Sequence, residues 1–250
     1  MSKKTGLIIV ACLVVFIIIR VNIALNYSSG PGSAEDYTPD LPIAYTGTLP
    51  CASCPGIEYE LRLEEGQFTE FKLYIDRDPG HFTRTGSWEI SGDRLTIESK
   101  DAGDRKEFLI SDERLRLIHS DSDDISGEPD ENSVLERNSE FQSILDRHRE
   151  LREEGVTFLA SGNEPFWSFR ILEGDTLVYL KPDFEMKSRS LEIIQKESGR
   201  EYRADFGSDQ EIEIHTEREF CQDTMSGFKF THVVTLTEDG ITNQGCGRYL

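Results

Sequence analysis

At 250 residues, with 27 basic and 47 acidic side chains and a net charge of −20, the chain is long enough for two ordinary domains. A field of that sign repels phosphate backbones and anionic head groups, so nucleic acid is excluded as a partner class and any membrane attachment must come from an apolar segment. The acidic residues are spread through periodic, aromatic-containing sequence and read as solvated strand faces, not as a disordered tail.

Such an apolar segment opens the chain. Lys3 and Lys4 precede an uncharged run from Gly6 to Ile19, which Arg20 interrupts. From Leu7 to Leu25 the stretch is about 19 residues, roughly what a bilayer span requires. Residues 1–25 therefore read as a membrane anchor or signal segment, with no small-x-small cleavage site around Ile19 to Ser29. The two lysines place the N-terminus in the cytoplasm and everything beyond residue 25 outside it. A third reading is lipidation at Cys12, since Ile9-Val10-Ala11-Cys12 roughly fits a lipobox, although the apolar run before it is short. All three readings export the chain. The expectation is a bacterial envelope protein, anchored in the inner membrane with its domains in the periplasm, an outer-membrane lipoprotein being the alternative.

Residues 26–42, rich in Ser, Gly, Pro and Asp, read as a flexible tether. From Ile57 the apolar residues recur every second position: Ile57, Tyr59, Leu61 and Leu63, then Phe71, Leu73 and Ile75 beyond a Glu64-Glu65-Gly66 turn. Gly86 to Ile90 is expected to pair with Leu95 to Ile97, and Phe108, Ile110, Leu115 and Leu117 continue the pattern. Short alternating strands broken by Gly and Asp describe an antiparallel sandwich or barrel over residues 43–138. Asp121 to Asn132 reads as an acidic surface loop. Phe141, Ile144, Leu145, His148 and Leu151 then fall at helical spacing, predicting a connecting helix over 139–155 with Ser139 as N-cap and Gly155 at its end. Residues 156–250 alternate again, through Phe166 to Ile171, Leu177 to Leu180, Glu211 to Ile214 and His232 to Leu236. They predict a second antiparallel β-domain. Trp167 and Phe169 share one face and read as core, and Asp223 and Arg248 are expected to form a structural ion pair.

In an oxidising compartment the cysteines outside the anchor tend to pair. Cys51, Cys54, Cys221 and Cys246 allow three pairings, among which domain layout favours Cys51 with Cys54 and Cys221 with Cys246. The Cys51-Ala52-Ser53-Cys54 motif sits between Pro50 and Pro55-Gly56 and leads straight into a strand. It lacks the helix N-terminus that lowers the thiol pKa in redox-active pairs. A disulfide ring stiffening the entry to the first strand and a soft metal contact, Cu(I) above all, are the two uses left open. No catalytic frame is present: there is no Gly-x-Ser-x-Gly, His-Glu-x-x-His or phosphate-binding loop, and the five histidines form no cluster. The chain reads as a non-enzyme, with an unrecognised hydrolase as the alternative.

The run Tyr45-x-Gly47-x-Leu49-Pro50-Cys51-Ala52-x-Cys54-Pro55-Gly56-Ile57, followed by Leu61-x-Leu63 and Gly86-x-Trp88, resembles the N-terminal domain of the NlpE family over about residues 43–138. That resemblance implies a small lipocalin-like barrel and a role in copper resistance or envelope-stress signalling through contacts with envelope signalling or surface proteins. It marks Cys51 and Cys54 as the residues to test for copper or redox response. The alternative is a barrel that binds a lipophile or metal without signalling. Residues 158–250, with Asn163-Glu164-Pro165-Phe166-Trp167 and a late cysteine pair, resemble an uncharacterised bacterial envelope domain family.

Overall fold

Period-two alternation closes the first half of the chain on itself. The structure, a computed structural model, describes residues 38–100, 103–120, 133–207 and 210–250. The segment from Leu7 to Leu25, Cys12, and the acidic stretch from Asp121 to Asn132 lie outside the described residues, among which no helix is long and apolar enough to cross a membrane. Strands β1 (Ile43–Leu49), β2 (Ile57–Glu64), β3 (Gln67–Tyr74), β4 (His81–Ser91), β5 (Arg94–Ser99), β6 (Arg105–Ser111), β7 (Arg114–Ser120) and β8 (Val134–Asn138) pair antiparallel in sequence order. The pairing of β1 with β8, Tyr45 opposite Arg137, closes the barrel and removes its edges. Inward positions carry Tyr45, Tyr59, Leu61, Phe68, Ile97 and Phe108, all buried in one core. The β4–β5 hairpin pairs Trp88 with Ile97 and Ile90 with Leu95. At Gly86 the strands approach so closely that a Cβ would lie 1.9 Å from the Glu98 carbonyl oxygen.

Helix α1 (Gln142–Glu153) follows the barrel. Leu145, His148 and Leu151, spaced three apart, bury one face. Ser139 does not cap it: Phe141 occupies the N-cap and no side chain bonds there. Asn138 claims the turn first, its Oδ1 accepting the Glu140 N–H at 2.8 Å, and the Ser139 carbonyl accepts the Gln142 N–H at 3.1 Å. The extra turn moves the helix start past Ser139. Gly155, with φ of +85°, ends the helix in the left-handed conformation that glycine adopts without strain. Leu41 and Pro42, at the end of the stretch read as a tether, are bonded to this helix. The Leu41 carbonyl accepts from Arg149 at 2.5 Å and the Pro42 carbonyl from Gln142 at 2.9 Å.

Beyond the helix, β9 (Val156–Asn163), β10 (Phe166–Leu172), β11 (Thr176–Lys181), β12 (Phe184–Lys187), β13 (Ser190–Gln195), β14 (Gly199–Gly207) and β15 (Gln210–Glu217) lead to the small hairpin of β16 (Cys221–Gln222) and β17 (Lys229–Phe230). Strands β18 (His232–Glu238) and β19 (Ile241–Tyr249) complete a nine-stranded antiparallel sheet, ordered β12-β11-β10-β9-β19-β18-β15-β14-β13. The sheet curls until β11 approaches β13 from the opposite end. Its concave side is the core of Phe158, Trp167, Phe169, Tyr179, Tyr202 and Leu236, so the stripe of Trp167 and Phe169 is packed core.

A third core joins the two β-units. Ala44 on the outside of β1, Leu145 and Leu151 of α1, Leu159 of β9, and Phe228 and Phe230 of the β16–β17 hairpin pack together. This packing overturns the reading of the charged alternation as solvated strand faces. On β2 the outward residues Glu60, Arg62 and Glu64 are 2%, 1% and 6% exposed, because the hairpin, the helix and β19 cover them. On β3 and β6 the charges Glu70, Lys72 and Lys106 share the barrel interior with Tyr59.

Candidate functional site

The connection from β1 to β2 carries Cys51 and Cys54 on the barrel rim. They form a disulfide with Cα atoms 5.3 Å apart. Both residues are half-buried, packed against the barrel core, while Ala52 and Ser53 between them are exposed. The ring is held from outside as well: Arg77, from the β3–β4 connection, donates to the Ser53 carbonyl at 3.2 Å and to the Ser53 hydroxyl. The Ile75 N–H bonds the Gly56 carbonyl at 3.1 Å. No helix starts here, since Ile57 opens β2 directly. As a disulfide the pair presents no thiolate. Among the described residues no three His, Cys, Asp or Glu side chains are grouped to hold a metal ion.

Beneath the same end of the barrel lies a buried polar layer that alternation alone had not revealed. Glu70 Oε2 accepts from Tyr59 Oη at 2.6 Å and from Lys106 Nζ at 3.0 Å, while Lys72 Nζ lies 3.4 Å from Oε1. Burial by itself would raise the Glu70 pKa. The two ammonium groups and the tyrosine hydrogen bond outweigh it and hold the carboxyl below its usual range.

The seam between barrel and second sheet is equally charged. Arg62 Nε donates to Glu60 at 2.6 Å and Nη1 donates to the Lys229 carbonyl at 2.8 Å, while Lys229 Nζ lies 2.9 Å from Glu60. The guanidinium is sandwiched between the Phe228 and Phe71 rings, at 3.8 and 4.7 Å. Burial pulls Arg62 down to about 10, still protonated at neutral pH. Glu64 pairs with Arg248 of β19 and lies 3.4 Å from Arg152 of α1. Burial would raise Glu60 and Glu64, but their arginine and lysine neighbours hold both below the ordinary carboxylate range. His148 packs on Phe228 and Phe230. Burial, helped by Arg248, Arg62 and Arg152, lowers it to about 3, so it is neutral in the folded protein.

Asp223 and Arg248 do not pair with each other. Arg248 reaches across the seam to Glu64. Asp223 folds its own loop, accepting from the Met225 and Ser226 N–H groups at 3.1 and 2.6 Å and from Asn163 at 2.9 Å. Arg248 emerges on the side of β19 that faces the barrel, where a buried carboxylate was already waiting. The Cys221–Cys246 disulfide ties the β16–β17 hairpin to β19. It thereby fixes the element that contributes Phe228 and Lys229 to the seam.

A closed eight-stranded antiparallel barrel with a disulfide ring on its rim, docked on a second antiparallel sheet, defines the class of protein. Residues 45–128, which contain that ring, match the family model described as the NlpE N-terminal domain. The lipoprotein NlpE of Escherichia coli K12 is 26% identical over 133 residues, covering 51% of this chain and 55% of that protein; the chain thus spans about half the length of this curated relative. Among solved structures, a protein from Shewanella oneidensis is 27% identical and covers 44% of this chain and 97% of its own, with a TM-score of 0.33. The E. coli Cpx pathway activator NlpE is 14% identical over 82% of this chain and 95% of that one, with a TM-score of 0.29.

Proposed function

We propose that this chain is a cell-envelope protein of the stress response that acts through protein contacts, not catalysis, with the Cys51–Cys54 ring as its responsive element. The observation that carries the reading is the match of residues 45–128 to the NlpE N-terminal domain, together with the position of the cysteine pair on a half-exposed rim. A disulfide there can be reached by a reductant or a partner without opening the barrel core. Envelope signalling proteins are the partner class, and the apolar segment from Leu7 to Leu25 is the element that would attach the chain to the inner membrane, facing the periplasm. The alternative, a lipophile-binding barrel, is less well supported because the interior is filled by packed aromatic and aliphatic side chains and a buried charged layer.

Copper enters this reading only through the reduced pair. Two thiolates from Cys51 and Cys54 suit Cu(I), a soft ion that tolerates low coordination.

The test is a Cpx-pathway reporter in E. coli expressing the full chain or its Cys51→Ser, Cys54→Ser variant, with export verified by fractionation. The wild type should induce the reporter and the variant should blunt that response. An exported wild type that leaves the reporter at baseline sinks the signalling role; equal induction by both removes the ring as the responsive element. Alkylation mapping and a Cu(I) competition titration on the reduced protein check the copper arm.

A further inference from the structure

The seam between the barrel and the second sheet contains a recess of about 410 Å³ that the stress-response reading does not use. Its size lies within the range of small-molecule sites, and domain seams are where such sites concentrate. Three elements far apart in sequence each supply a guanidinium to its lining: Arg152 from the last turn of α1, Arg218 after β15, and Arg248 from β19. Thr69 and Thr85 of the barrel and Thr231, between β17 and β18, add hydroxyl groups.

The recess gathers three guanidinium groups against the carboxylates of Glu64 and Glu65 and that of the last residue, Leu250. In a chain of net charge −20, three arginines converge on a wall whose one buried carboxylate is Glu64. Glu64 is shared between Arg248 and Arg152. Glu65, also on the wall, is exposed to solvent. His232 on the same wall is neutral, lowered to about 4 by burial and by Arg218 and Arg200, so it neither adds to nor cancels the arginines. Arg152 Nε is buried and has no protein acceptor, and a buried donor left unsatisfied is costly. Arg218 bridges the seam by donating to Thr85 Oγ1 at 3.2 Å. Arginine forks match the geometry of carboxylate and phosphate groups.

We propose that this recess binds a small organic anion whose carboxylate or phosphate group is held by Arg152, Arg218 and Arg248. Because the barrel, the helix and the second sheet each contribute part of the wall, the anion binds the docked arrangement alone and stabilises it by mass action.

The test uses the full chain, titrated with citrate and, separately, with inorganic phosphate. Ionic strength is held constant near 0.15 M, where the Debye length of about 8 Å leaves the local arginines in control. Calorimetry and thermal unfolding are the readouts. At least one probe should bind saturably and raise the midpoint above a matched sodium chloride control, and preference between the two probes assigns carboxylate or phosphate. Arg218→Gln, an exposed position that leaves the Glu64 pairs intact, should weaken binding at least about tenfold, the scale of one charge-assisted contact. Arg152→Gln should do the same, and Arg114→Gln, on β7 and outside the recess lining, should not. Absence of saturable binding by either probe, or binding unchanged in both Arg218→Gln and Arg152→Gln, overturns the proposal and leaves the stress-response reading untouched.

Discussion

Replacing Arg62 with alanine removes the guanidinium that stitches the barrel to the β16–β17 hairpin. The side chain is fully buried, bonded to Glu60 at 2.6 Å and to the Lys229 carbonyl at 2.8 Å, and it lies between the rings of Phe228 and Phe71. Its loss leaves the Lys229 carbonyl without this donor and leaves Glu60 buried with Lys229 as its remaining partner. Breaking a buried ion pair from one side costs about 3–5 kcal/mol, chiefly through the stranded charge. For a chain of this size that corresponds to a fall in melting midpoint on the order of 10 °C. Urea and thermal unfolding followed by circular dichroism measure it. The companion variant, Glu60→Leu with Arg62→Met, removes both charges and should recover much of the loss, because the penalty belongs to the unpaired partner and not to the missing bridge. A single Arg62→Ala shift below about 1 kcal/mol would refute the claim that this pair is desolvated and coupled; failure of the double variant to recover would place the cost in packing.

Acid should destabilise the protein in two overlapping stages. His232 and His148 are lowered to about 4 and about 3 from 6.5, so the unfolded chain binds protons that the fold refuses. Stability therefore falls as pH drops below 6.5, by about 1.4 kcal/mol per pH unit for each histidine. Glu60, Glu64 and Glu70 are held below 4.5. Their contribution is full above that pH and disappears as pH falls through their folded values; denaturant midpoints from pH 7 to pH 3 test both, and a flat profile from 6.5 to 4 contradicts the histidine assignment. Cys221→Ser with Cys246→Ser opens a link of sequence separation 25 and should cost about 3.5 kcal/mol by loop entropy. The corresponding change at Cys51 and Cys54, separation 3, should cost less, about 2 kcal/mol; equal losses in denaturant titrations would argue against loop entropy as the source. Gly86→Ala drives a methyl group to 1.9 Å from the Glu98 carbonyl oxygen and should cost about 1–3 kcal/mol, as overpacking does. A neutral midpoint would mean that β4 and β5 can separate without loss.

What is local in this fold follows from the chain's alternation, and what is long-range does not. Alternation at Ile57, Tyr59, Leu61 and Leu63 is a local signal, since successive side chains of a strand face opposite sides. The same residues line the barrel core. The hairpin from Gly86 to Ile97 was legible for the same reason, with Gly92 at φ +61° supplying its turn. The helix was legible from its buried stripe, but its first residue was not. Phe141 rather than Ser139 became the N-cap because Asn138 took the preceding turn.

Charge was where sequence reading misled, and the reason is distance along the chain. Glu60, Arg62 and Glu64 alternate with apolar residues as solvent-facing positions do, yet they are buried by partners at Lys229 and Arg248. Separations of 167 residues for Arg62 with Lys229 and 184 for Arg248 with Glu64 leave no mark on a local pattern. Burial and pairing of these groups are properties of the docked surfaces. By itself the sequence determined the main alternating strands of both β-units, the presence of the helix and the position of the cysteine ring, because each follows from side-chain periodicity and turn chemistry within a few residues; strands β12 to β14 and the β16–β17 hairpin left no such mark. Closure of β1 on β8, docking of the two β-units, and the convergence of three arginines at their seam were decided only by tertiary structure, which alone sets which distant faces exclude water together.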